Sequence, residues 1–175
     1  MTSDITPEEE QRYAELQQLA LDYARQGETS ELEPMLDAGL SPNLADHKSN
    51  SLLMLAAYNG NLETARLLLS RGAEVDHRND RGQTPLGGVA FKGYPELIDL
   101  LIEAGAEVDA DNGGGMTPYL YAVMFGRTEA EEALERHGAS MGRRKRLGIA
   151  AHAMGKFSMF MRTVRRKKAS PAGHD

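Results

Sequence analysis

Glycines at positions 27, 60, 93 and 126 stand 33 residues apart, and a second series at 39, 72, 105 and 138 keeps the same interval. Two series locked to one period require a structural unit repeated about four times. A unit this short cannot enclose its own apolar side, so neighbouring copies must stack into one continuous core. An array of this kind is a scaffold with a long open surface, and the period itself carries no reaction chemistry.

Aligned on the glycines, the chain reads DHKSNSLLMLAAYNGNLETARLLLSRGAEV from Asp46, NDRGQTPLGGVAFKGYPELIDLLIEAGAEV from Asn79 and NGGGMTPYLYAVMFGRTEAEEALERHGAS from Asn112. Upstream, LALDYARQGETSELEPMLDAGLSPN from Leu19 fits the same frame. Thr84 and Thr117 each precede a proline, the pattern of a capping hydroxyl followed by a pre-organised first helical residue. Gly60, Gly93 and Gly126 then end a short first helix, where a left-handed backbone costs glycine little. Leu67, Leu68 and Leu69, and again Leu100, Leu101 and Ile102, close a second helix with an apolar face, which Gly72, Gly105 and Gly138 terminate.

Thr84-Pro85-Leu86, Ala56-Ala57, Gly72-Ala73 and Gly105-Ala106 resemble the ankyrin repeat, in which Thr-Pro-Leu-His opens the first helix and a Gly-Ala hairpin follows the second. The resemblance covers residues 13–140 and is closest to small free-standing members of the family, of the kind found in bacteria. It implies an all-α ankyrin-repeat solenoid of 33-residue helix–turn–helix–hairpin units, with a repeat domain over 1–140 and a C-terminal capping or amphipathic helix. The family histidine is missing: Met54, Gly87 and Leu120 stand in its place, and the first unit in the frame has no Thr-Pro. Gly87-Gly88 inside a helix costs about 1–2 kcal/mol relative to alanines. Either the helix has simply drifted from ideality, or glycine lets a partner or a neighbouring side chain come close.

The resemblance implies a non-enzymatic protein–protein interaction module, an adaptor or inhibitor that uses the curved face of turn tips and first helices. Positions one period apart on that face are Arg25, Tyr58, Phe91 and Met124, beside Gln26, Asn59, Lys92 and Phe125, and Tyr121 follows Leu120. Aromatic side chains with few rotors make good interface anchors, although the same rings serve equally as packing between units. Tyr58, Phe91, Lys92, Tyr121, Met124, Phe125, Asp80 and Arg81 are therefore the candidate binding residues. The tips add His47 and Lys48, while Gly113, Gly114 and Gly115 offer no side chains.

Charge divides the chain. Residues 1–140 carry ten Lys/Arg against 25 Asp/Glu, a formal −15, and residues 141–175 carry ten against the single Asp175, a formal +9. The acidic part favours a protein partner with a basic surface. In the basic extension over 141–175, Arg143, Arg144, Lys145 and Arg146 precede an apolar stripe, and Arg165, Arg166, Lys167 and Lys168 follow it. The stripe predicts one helix with a disordered end beyond, either a cap on the last repeat or an alternative docking element for a membrane surface or nucleic acid.

Catalysis and cofactors find no support. The chain has no cysteine, and its five histidines show no metal-binding spacing. There is no G-x-S-x-G elbow, and NGGGMTP lacks the lysine and glycine spacing of a phosphate loop. The acidic amino end and the lack of a long apolar run lead to the expectation of a cytoplasmic protein. Oligomeric state is not legible.

Overall fold

A computed structural model of the chain describes residues 6–140. They form four helix pairs: α1 (Pro7–Gln26) with α2 (Thr29–Asp37), α3 (Leu52–Tyr58) with α4 (Leu62–Ser70), α5 (Pro85–Lys92) with α6 (Pro95–Glu103), and α7 (Pro118–Met124) with α8 (Thr128–Arg136). The first helices α1, α3, α5 and α7 pack in succession as one layer, and the second helices α2, α4, α6 and α8 as another. Among the described residues there is no strand, only an isolated bridge pairing Ala45 with Ser51. This is the all-α repeat solenoid that the period demands.

Each first helix starts where its sequence places a hydroxyl. The side chains of Ser51, Thr84 and Thr117 accept from the N–H groups of Met54, Gly87 and Leu120 at 3.2, 3.2 and 3.3 Å, a contact worth about 1 kcal/mol per cap. The first unit is capped too, contrary to the expectation that it has no Thr-Pro. Thr6-Pro7 opens α1, with Glu9 closing a reciprocal box: the Thr6 N–H donates to Glu9 at 2.9 Å, and the Glu9 N–H to the Thr6 hydroxyl at 3.3 Å. At 20 residues α1 is far longer than the other first helices, so its start falls ahead of the 33-residue frame.

The two glycine series answer different needs. Gly39, Gly72, Gly105 and Gly138 all have positive φ, and a Cβ there would meet nothing within 4 Å. These positions need only the left-handed backbone that ends the second helix. Gly27, Gly60 and Gly93 also have positive φ but are covered by the next repeat as well. A Cβ at Gly27 would stand 2.8 Å from Asn61 Oδ1, at Gly60 3.2 Å from the Tyr94 ring, and at Gly93 2.9 Å from Arg127 Cδ. Two of these covering side chains also satisfy carbonyls that a helix end leaves open. Asn61 Nδ2 donates to Ala24 O and Arg25 O at 3.0 and 2.9 Å, and Arg127 Nε donates to Phe91 O at 2.9 Å.

Between the layers lie Leu32, Leu53, Leu68, Leu86, Val89, Ile98, Leu101 and Leu134, all fully enclosed. Alanines such as Ala24, Ala56, Ala57, Ala90 and Ala122 have no exposed surface, so the first helices approach closely. The outer layer is tied by ion pairs and hydrogen bonds across repeats. Arg71 bonds Glu33 at 2.9 Å and also Asp37, while Arg136 and His137 reach Asp99 at 2.9 and 2.8 Å. Partly exposed pairs of this kind add little individually.

Gly87 has a cause in the core. Asn112, 3 % exposed, reaches back from the fourth repeat, and its Oδ1 accepts from both the N–H and the hydroxyl of fully buried Thr84, at 2.7 and 3.0 Å. Its Nδ2 donates to Ala110 O at 2.9 Å. A Cβ at Gly87 would lie 2.1 Å from Asn112 Oδ1, so any side chain there expels the asparagine. Of the two origins open from sequence, close approach of a neighbouring side chain accounts for Gly87. Helix propensity favours alanine at both glycines by about 1 kcal/mol, yet the outcomes should diverge. Gly88→Ala, which meets only Tyr58 Cδ2 at 3.3 Å, should be neutral or slightly stabilising. Gly87→Ala should cost about 2 kcal/mol by stranding buried polar groups. Urea unfolding of the two variants checks this, and equal stability would remove the Asn112 account.

Candidate functional site

α3 and α5 carry Tyr58 and Phe91 at equivalent positions near their ends, the fourth repeat adds Tyr121 and Phe125 at other positions, and stacking the repeats brings these rings together. Tyr58 and Phe91 lie parallel, with centroids 6.3 Å apart and planes within 5°. Phe91 meets Phe125 edge-on at 4.6 Å and Tyr121 edge-on at 6.3 Å, and Tyr121 lies 6.4 Å from Phe125. The rings thus run continuously across three repeats. They pack against one another and stay accessible at both ends of the row: Tyr58 is 41 % and Phe125 40 % exposed, with Phe91, Tyr121 and Met124 half-buried. Lys92 Nζ sits 5.0 Å above the Tyr58 ring, within range of a cation–π attraction.

Between this row and the tips of the second and third repeats lies a groove of about 480 Å³. Tyr58, Phe91 and Tyr121 form its apolar wall together with Met54 and Leu55; Lys48, Asn50, Asn79, Asp80, Arg81 and Gln83 form the polar side; Gly87 and Gly88 lie between. Of the residues singled out from sequence, Tyr58, Phe91, Tyr121, Asp80 and Arg81 therefore share one groove. Lys92 joins it through the Tyr58 ring, Phe125 extends the aromatic row, and Met124 stands beside it outside the lining. Arg143, Arg144, Lys145, Arg146, Arg165, Arg166, Lys167 and Lys168 lie outside the described residues.

The tips are built by one device. Asp46 Oδ1 accepts from the N–H groups of Lys48 and Asn50, both at 2.9 Å, and Asn79 Oδ1 from those of Arg81 and Gln83, both at 3.0 Å. These are Asx turns. In the fourth repeat the same bonds come from Asp111, which accepts from Gly113 at 2.8 Å and Gly115 at 3.0 Å. That turn begins one residue before the position equivalent to Asn79, and this frees Asn112 to point inward. The triple-glycine tip is thus organised by a carboxylate despite having no side chains of its own. Adjacent tips are also joined: the Asp80 N–H donates to Lys48 O at 3.1 Å, Ser49 Oγ to Asp80 Oδ1 at 2.5 Å, and Asn79 Nδ2 to Asn50 Oδ1 at 3.0 Å.

Among the described residues, no group of His, Asp or Glu is placed to hold a metal ion, and no helix is long and apolar enough to cross a membrane. A family model described as ankyrin repeats (3 copies) matches residues 21–112 and, overlapping, 53–145. An ankyrin repeat protein of Pseudomonas aeruginosa is 46 % identical over 67 residues, covering 38 % of this chain and 39 % of that protein. An ankyrin repeat-containing protein of Schizosaccharomyces pombe is 33 % identical over 63 residues, covering 36 % of this chain and 30 % of its own length. The matched stretch thus spans well under half the length of either curated relative.

The Asp46 turn makes the tip of the second repeat sensitive to acid. Burial raises the Asp46 carboxyl, but hydrogen bonds from the Asn50 side chain and from the N–H groups of Asn50 and Lys48, with the nearby Arg25 charge, outweigh it and hold the group below the usual aspartate range. Its stabilisation is complete above the unfolded-chain value of about 3.9 and is lost as pH falls through the lower folded value. Near neutral pH the native chain should exceed Asp46→Asn by about 1–2 kcal/mol. That difference should close below about pH 4 when urea unfolding is followed across a pH series; a constant difference would contradict the assignment.

Proposed function

The chain belongs to the ankyrin-repeat family, whose members act characteristically without catalysis, through contacts with other proteins, and from that premise we propose that it is an adaptor or inhibitor that holds a protein partner on the face formed by its first helices and tips. The observation that carries this reading is the aromatic row, packed along its length and open at Tyr58 and Phe125. Rings already held by their neighbours lose little freedom on binding, which favours their use as anchors. Tyr58 and Phe91 are the central anchors, Tyr121, Met124 and Phe125 extend the contact into the fourth repeat, and Asp80, Arg81 and Lys92 set its polar margin. The acidic excess of residues 1–140 supports a partner with a basic surface, drawn in over a Debye length and more weakly as salt rises.

The test is capture from the cells that make the protein, with the full chain immobilised and bound proteins identified by mass spectrometry. Tyr58→Ala should cost about 1 kcal/mol or less, because the residue is 41 % exposed and at the end of the row. Adding Phe91→Ala should cost about 2 kcal/mol, because that ring packs on Phe125 at 4.6 Å. Both variants should stay folded by circular dichroism, and the double variant should lose the partner. Full capture by a folded double variant would reject this face. If capture then failed when the basic clusters at 143–146 and 165–168 were neutralised, docking through the C-terminal extension would replace the present reading.

A further inference from the structure

Beyond α1, which carries carboxylates of its own, the acidic total conceals a segregation by layer. The first helices α3, α5 and α7 contain no Asp or Glu, whereas every second helix carries at least one. Cations are divided too. Arg25, Arg66, Arg71 and Arg136 are paired with carboxylates, and Arg78 and Arg127 donate to backbone carbonyls. Of the other Lys and Arg side chains among the described residues, Arg12 lies on the exposed start of α1, and Lys48, Arg81 and Lys92 surround the groove. Lys48 and Arg81 are exposed, and among the described residues neither side chain has a carboxylate or carbonyl partner. Asp80 is the single carboxylate in the lining, and its Oδ1 is already engaged by Ser49.

We infer that the groove takes an acidic peptide segment, seating a carboxylate between Lys48 and Arg81 and an adjacent apolar side chain against Tyr58 and Phe91. The inference rests on the proposed binding face and specifies what that face reads. Lys48 and Arg81 keep their donors for an incoming acceptor, and the Arg81 fork matches a carboxylate with two parallel bonds. An incoming Lys or Arg would instead meet three cations against one engaged carboxylate. The apolar half of the ligand has a place as well: Tyr58 is 41 % exposed and lines the groove with Met54, Leu55 and Phe91, so apolar surface lies open beside the polar margin. Attraction at long range and recognition at contact are thus set by different layers. A partner with a basic surface is drawn by the outer helices and then held through an acidic segment of its own.

The test is a titration of the full chain, followed by backbone amide NMR, with three blocked peptides of sequence Gly-X-Phe-X-Leu-Gly, where X is Glu, Gln or Lys, and with a short oligothymidylate. The glutamate peptide should shift the amides of Arg81, Gly87, Gly88 and Phe91 and bind about fivefold tighter than the glutamine peptide, the scale of exposed ion pairs. Lys48→Glu combined with Arg81→Glu should invert the order in favour of lysine. A lysine or glutamine peptide binding the native groove as tightly as the glutamate peptide overturns the charge assignment and leaves the face standing. Tighter binding of oligothymidylate overturns the peptide assignment. Shifts that avoid the groove with every probe overturn the face as well.

Discussion

Each repeat lays a side chain over the glycine that ends the first helix of the repeat before it, and the array depends on that contact. Asn61 over Gly27, Tyr94 over Gly60 and Arg127 over Gly93 are three different chemistries at one position. Asn61 and Arg127 donate to carbonyls that the preceding helix cannot satisfy. The glycine serves twice, once for its backbone and once for its empty Cβ. Asparagine, tyrosine and arginine each fill that space. The covering residues keep the 33-residue period of the glycines but not a common identity.

Because the repeats must stack this way, each layer of the solenoid acquires its own electrostatic character. The second helices face outward, gather the carboxylates and tie them to Arg71, Arg136 and His137 across repeat boundaries. The first helices of the second to fourth repeats carry no carboxylate, with Lys92 their one charge, and keep small residues where they meet. A net charge taken over the chain adds together faces that never meet the same atom of a partner. In the binding mode proposed above, it governs the approach of a partner over a Debye length, while the few uncommitted groups beside Tyr58 and Phe91 govern the contact.

Much of this was legible from residue order alone. The period placed the helix pairs, Thr84 and Thr117 placed two helix starts, and the coincidence of Tyr58 and Phe91 at one repeat position brought the rings together. What stayed hidden depended on register within a tip or on residues outside the frame. Thr6-Pro7 with Glu9 is a full capping box, yet it precedes a helix too long to align with the others. Asn112 looked like the start of a polar tip because Asn79 and Asp46 occupy the equivalent places. Its inward turn follows from the Asx turn beginning at Asp111 instead, a change that composition and period both leave invisible. The signal was present as Asp111 two residues before a glycine, in a tip with no other side chain to organise it.

That single-residue shift joins the core to the groove. With Asp111 holding the tip, Asn112 is released to bond Thr84. With Asn112 buried there, position 87 must be glycine, and the same pair of glycines lies between the two sides of the groove. A helix interior with two glycines is locally weak, and here the weakness is offset by a buried asparagine that bonds two donors at the start of α5. The lining between Tyr58 and Phe91 cannot be filled at position 87 without expelling the group that secures that helix. Groove and core therefore meet at Gly87, which lines the one and leaves in the other the space that Asn112 fills.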